Sequence, residues 1–105
     1  MAIKELLKEE LDNSLRMEHD YQRELARLPR GSIVKKLIGG RIYFYLAYRE
    51  GARVHFQYLG RKMDGREIEK YRAAKASRSL YRKLLSNVRQ QVKFLRKVIR
   101  AKQAV

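Results

Sequence analysis

Residues 33–60 read IVKKLIGGRIYFYLAYREGARVHFQYLG, and the spacing within this stretch decides the fold. Ile33-Val34-Lys35-Lys36-Leu37-Ile38 is short and rich in β-branched residues, as strands are. Gly39-Gly40 follows, and two glycines that can both take positive φ are a strong signal for a two-residue hairpin. Arg41 to Tyr48 gives a second strand dense in aromatic residues, and Arg53 to Leu59 a third, ended by Gly60. Between them Arg49-Glu50-Gly51 suits a three-residue turn with Gly51 in the left-handed position.

The length of that second turn sets which side chains share a face, because one residue of slip moves every side chain to the other side. A three-residue turn pairs Leu46 with Val54, Phe44 with Phe56 and Ile42 with Tyr58. One face is then Ile33, Leu37, Ile42, Phe44, Leu46, Tyr48, Val54, Phe56 and Tyr58. The other is Val34, Lys36, Arg41, Tyr43, Tyr45, Ala47, Arg53, His55 and Gln57. A two-residue turn would mix these sets, and the three-residue turn is preferred because it separates apolar from polar more cleanly.

Outward from the meander, both flanks carry helical spacing. In residues 2–28, Ile3, Leu7, Leu11, Tyr21, Leu25 and Leu28 fall near one face, with Glu18 interrupting it. Pro29 stops this helix, and Gly31-Ser32 continue the break. Residues 65–103 form a second, longer helix, with Asp64 as its cap and Glu67 placed for a capping box. Within it Tyr81, Leu85, Val88, Val92, Leu95 and Ile99 recur at 4, 3, 4, 3, 4, a heptad seam that requires a partner helix. The 2–28 helix is one candidate, and a second copy of the chain, making a homo-oligomer, is the other. Leu84, Phe94 and Val98 lie off the seam.

The chain has 105 residues, with 26 Lys+Arg against 11 Asp+Glu and a formal net charge of +15. Such an excess favours polyanionic partners. It is unevenly spread. Residues 1–29 hold five basic and seven acidic residues, residues 30–69 nine and four, and residues 70–105 twelve basic and no acidic residue. At 100° per residue Lys75, Arg78, Arg82, Arg89, Lys93, Arg96 and Arg100 fall within an arc of roughly 60° beside the seam, a stripe about 38 Å long. A rod of cations of that length can follow a phosphate backbone. The bland alternative is a solvated face, but the first helix, with seven acids and five bases of its own, cannot cancel twelve cations.

The sheet offers a second surface. Lys36, Arg41, Tyr43, Tyr45, Arg53, His55 and Gln57 mix cations, rings and hydrogen-bonding groups, a composition fit either to enter a DNA major groove or to stack unpaired bases. Arg61 and Lys62 follow the last strand as backbone clamps. Against this stands the ordinary half-exposed sheet, in which Tyr is simply a good strand former.

Catalytic chemistry finds no foothold. His19 and His55 sit on different elements without an acidic, Ser or Cys partner at motif spacing. There is no P-loop, dinucleotide fingerprint or zinc pattern, and no cysteine. Glu9, Glu10 and Asp12 read as a solvated helix face rather than a metal site. No cofactor is expected. No apolar run approaches the roughly 18 residues that span a bilayer, and MAIKELLKEELD is too charged for a secretory signal. A cytoplasmic, non-enzymatic protein without a membrane partner is the expectation.

From Leu28-Pro29-Arg30-Gly31-Ser32, through Arg41 to Gly51, and on to Tyr58-Leu59-Gly60, the sequence resembles a family of short prokaryotic and mobile-element proteins. These carry an LP(K/R)GS opening, a YYYL-like strand, a YREG turn and a Y(I/L)G ending. The match covers about a third of the chain. The resemblance implies no activity and no catalytic residue. More loosely, the meander is similar to the β-sheet DNA-binding modules of integrases and transposases, and that likeness implies DNA rather than RNA.

Together these readings give a single α+β domain over residues 1–105. It has a helix over 1–28, a three-stranded antiparallel meander over 32–60 and a basic helix over 64–103. The helices pair as a coiled-coil hairpin or in a dimer. The expected function is nucleic-acid binding, with DNA favoured. The alternative is an oligomeric adaptor or inhibitor that binds an acidic protein.

Overall fold

The structure is a computed structural model that describes residues 2–103. Met1, Ala104 and Val105, and with them position 1 of the expected first helix, lie outside the described residues. Five elements follow in order: α1 (Ile3–Arg27), β1 (Ser32–Ile38), β2 (Arg41–Glu50), β3 (Arg53–Gly60) and α2 (Gly65–Gln103). The α+β order and the punctuation at Pro29, Gly39-Gly40 and Gly60 are those expected. The chain divides into two compact units, one made of α1 with the part of α2 from Ser79 onward, the other of Leu28–Arg78.

In the first unit α1 lies antiparallel to α2. Tyr21 meets Tyr81, with ring centroids 6.1 Å apart, and Glu18, one turn earlier in α1, borders the same depression as Arg89 and Val92 further along α2. Leu85, Val88, Val92, Leu95 and Ile99 are all buried within the one chain. Each such side chain contributes about 1.5–3 kcal/mol by leaving water. Opposite them α1 buries Ser14, the most enclosed side chain described, at 1% exposure. Ser14 continues the Leu7, Leu11 spacing and lies two helical turns from Tyr21, which puts it at the level of Val88 on α2 when the Tyr21–Tyr81 pair sets the alignment.

The second unit is the sheet and the start of α2. The strand order is β1-β2-β3, antiparallel throughout. Ile38 pairs with Arg41 around Gly39 and Gly40, whose φ values of 57° and 77° give the two positive angles of a type I′ turn. Asp64 caps α2: its carboxylate accepts from Arg66 N at 3.0 Å, and its carbonyl accepts from Glu67 N and Ile68 N. The reciprocal bond from Asp64 N to the Glu67 side chain, expected of a capping box, is absent among the described residues.

The second hairpin corrects the sequence reading. Its loop has two residues, Gly51 and Ala52, because Glu50 pairs with Arg53. Gly51 does take a left-handed φ, 62°, but it opens the turn instead of closing it, and Ala52 is not at positive φ. That is the pattern of a type II′ turn, whose twist matches the flanking strands. Tyr45 therefore pairs with Tyr58, Leu46 with Gln57, Ala47 with Phe56 and Arg49 with Val54. None of the pairs Leu46–Val54, Phe44–Phe56 or Ile42–Tyr58 forms. Past Tyr58 the ladder shifts, Phe44 pairing with Gly60, so Leu59 is the extra residue of a β-bulge.

Candidate nucleic-acid interface

The two-residue turn re-sorts the sheet. One face carries Ile33, Lys35, Phe44, Leu46, Tyr48, His55 and Gln57. Here Ile33 and Lys35 border a depression with Ile68, Tyr71, Arg72 and Lys75, so the start of α2 lies along this face. The other face carries Val34, Lys36, Ile38, Arg41, Tyr43, Tyr45, Ala47, Arg49, Val54, Phe56 and Tyr58. It holds three cations and no acid.

Of the sheet residues singled out from sequence, Lys36, Arg41, Tyr43 and Tyr45 do share this open face, while Arg53 and His55, with Gln57, are on the opposite one. The cause is the one-step slip of β3 relative to the expected register. His55 stacks on Tyr48, centroids 5.4 Å apart, and its Nε2 lies 3.5 Å from Glu50 Oε2. These contacts lie on the face opposite Lys36 and Tyr45. In their place the open face receives Phe56, Tyr58, Val54 and Arg49, which sequence reasoning missed. Reading Gly51-Ala52 as a Gly-X hairpin loop would have found them.

The rings on the open face form a connected cluster. Tyr58 meets Tyr45 at 5.5 Å and Tyr43 at 6.2 Å between centroids, both pairs tilted. Lys36 stands among them, its Nζ 4.7 Å from the Tyr45 centroid and 4.3 Å from that of Phe56. Both distances fall within cation–π range. Phe56 and Tyr58 are 52% and 54% exposed, so much of each ring faces solvent. At the Gly39-Gly40 end of the sheet, Arg41 joins Arg61 and Lys62 around one depression. The clamp residues read from sequence are therefore beside a cation of the open face.

The helical stripe divides. Lys75 stays exposed beside the sheet depression. Arg78 does not face solvent freely: its guanidinium donates to the carbonyl oxygens of Pro29 and of Gly31, the latter at 3.0 Å, and so pins the loop before β1. In the other unit Arg82, Arg89, Lys93, Arg96 and Arg100 are all exposed. Arg89, Lys93, Arg96, Lys97 and Arg100 line one depression in which Glu18 is the single acid. Among the described residues, the salt bridges join Arg27 to Glu24, His55 to Glu50 and Arg72 to Glu69, and none engages this stripe.

Among the described residues no three His, Asp or Glu side chains group as a metal site would require, and no helix is long and apolar enough to cross a membrane. Family models, curated proteins and solved structures were each compared with the chain, and none matches.

Proposed function

We propose that this is a non-catalytic nucleic-acid-binding protein, with DNA favoured, and that the open face of its sheet is the primary contact. The observation that carries the proposal is the make-up of that face: Lys36, Arg41 and Arg49 among four exposed or half-exposed aromatic rings, without one acidic side chain. Cations supply attraction to phosphates, and rings supply surface for bases. The row Arg82, Arg89, Lys93, Arg96 and Arg100, which forms no salt bridge among the described residues, is a second, sequence-independent phosphate contact. DNA is preferred over RNA on the likeness of the meander to integrase sheet modules. On this reading the protein works in the cytoplasm and needs no cofactor.

The test is fluorescence polarisation with labelled duplex DNA, single-stranded DNA and duplex RNA at low and physiological salt. Binding is expected at low salt, with log K falling by about 0.9 per neutralised phosphate for each unit of log salt on duplex DNA. No binding to any of the three at low salt would refute the reading.

One feature favours a second reading, an adaptor or oligomer that binds an acidic protein. Phe94 is 63% exposed on α2 and Leu80 is exposed as well. Size measurement together with capture of partners in nuclease-treated extract separates the two readings.

A further inference from the structure

The open face is suited to one form of nucleic acid more than another. A duplex keeps its bases stacked inside and offers phosphates and groove edges. Its major groove, about 12 Å wide, admits a helix or a two-stranded ribbon, and base edges there are read by Arg, Lys, Asn and Gln. This face is three strands wide, at about 4.8 Å per strand before side chains are added. No Asn or Gln stands on it, and its middle is occupied by Tyr43, Tyr45, Phe56 and Tyr58. Exposed ring surface gains little from phosphates. It gains a great deal from unpaired bases, every one of which has a π-face to stack.

The placement of the rings and cations is that of a stacking platform. Phe56 and Tyr58 are two residues apart on β3 and share a face, which sets them about 7 Å apart. Each is more than half exposed, so each can receive a base. Tyr43 and Tyr45 back Tyr58 from the neighbouring strand. Lys36 Nζ, held near Tyr45 and Phe56, keeps a positive charge in the middle of the platform. Arg41, Arg61 and Lys62 concentrate three more charges around the depression at one end.

We propose that the open face binds an unpaired, single-stranded segment, with bases stacked on Phe56 and Tyr58 and phosphates held by Lys36 and by the Arg41, Arg61 and Lys62 cluster. This rests on the nucleic-acid reading above and names the form of its ligand.

The experiment is polarisation of a labelled mixed-sequence single strand and of the matching duplex, at physiological salt, with the full chain and its variants. The single strand binds tighter than the duplex. Phe56→Ala and Tyr58→Ala each weaken it by roughly 5- to 150-fold, the range that removing one base–aromatic stack spans. Phe56→Tyr and Tyr58→Phe keep the affinity, as stacking requires a ring and not a particular one. Both side chains replaced are exposed, and circular dichroism checks that each variant is folded. Duplex bound as tightly as single strand, or alanine variants that bind single strand like the parent, overturns the proposal. If Arg41→Gln, Arg61→Gln and Lys62→Gln weaken duplex binding while Phe56→Ala does not weaken single-strand binding, the nucleic-acid reading survives and the single-strand inference fails. If neither form binds even at low salt, both fail.

Discussion

Tyr58 stands opposite Tyr45 in the β2–β3 ladder, with ring centroids 5.5 Å apart. That pair fixes the side of the sheet on which every residue of β3 before the bulge projects. It places Phe56 and Val54 on the open face with Lys36, and His55 on the face along which α2 lies. The make-up of each sheet face thus follows from the geometry of one turn.

The turn can be tested directly. Cross-strand nuclear Overhauser effects should join Tyr45 with Tyr58 and Ala47 with Phe56, and not Ile42 with Tyr58. Gly51→Val should destabilise the protein by about 1–3 kcal/mol, the cost of holding a residue with a Cβ in a sparsely populated positive-φ conformation. Nothing lies within 4 Å of a Cβ built on Gly51, so the penalty belongs to the backbone and not to a clash. Denaturant midpoints measure it.

The elements were legible because their boundaries are written in single residues: Pro29 after α1, Gly39-Gly40 between β1 and β2, Asp64 before α2. The register was not. Choosing the turn that best separates apolar from polar assumes that the open face of a sheet is polar, and this one exposes Val54, Phe56 and Tyr58. A sheet face that leaves a valine and two rings exposed breaks the polar-out alternation on which the register was chosen. The partners of Arg78 were hidden for a different reason. Its spacing matches the stripe, but its carbonyl partners are 49 and 47 residues away in the chain, beyond any local pattern. The stripe from Arg82 to Arg100 was legible because helical spacing alone decides it.

Arg78 and Gly31 make a second test. A Cβ on Gly31 would sit 2.6 Å from the Ala47 carbonyl oxygen and 2.9 Å from a Leu46 methyl carbon, at a φ of 93°. Backbone must move to admit it. Gly31→Ala should cost about 1–3 kcal/mol from the strained φ alone. Arg78→Ala, which removes charged hydrogen bonds to Pro29 and Gly31, should cost about 1.5–3 kcal/mol per bond at most. In both variants amide exchange should rise in residues 30–34 more than in the Leu85–Ile99 seam, a difference that hydrogen exchange reads residue by residue.

Ser14 is the buried residue of α1. Its side chain is 1% exposed, so a larger one must find space within the protein and not in solvent. Ser14→Leu should therefore destabilise by about 1–3 kcal/mol through overpacking, despite adding apolar surface. Ser14→Ala keeps the volume and should be close to neutral. If leucine instead raises the unfolding midpoint, the two helices have room between them at this level.

The exposed stripe makes the last prediction. Arg82, Arg89, Lys93 and Arg96 form no salt bridge among the described residues, and they repel one another along a helix that bears no acid beyond Glu69. Changing all four to Gln removes that repulsion, so thermal stability should hold or rise. Binding should fall by the same factor on every sequence tested, because a cation on a phosphate carries no base information. The slope of log K against log salt on duplex DNA should shrink by about 0.9 for each phosphate no longer neutralised, so by up to roughly 3.6 if all four side chains engage. Salt titration of the parent and the fourfold variant reads how many phosphates the row neutralises. An unchanged slope would mean that this row is a solvated face, and that Lys36, Arg41, Arg61 and Lys62 carry the whole attraction.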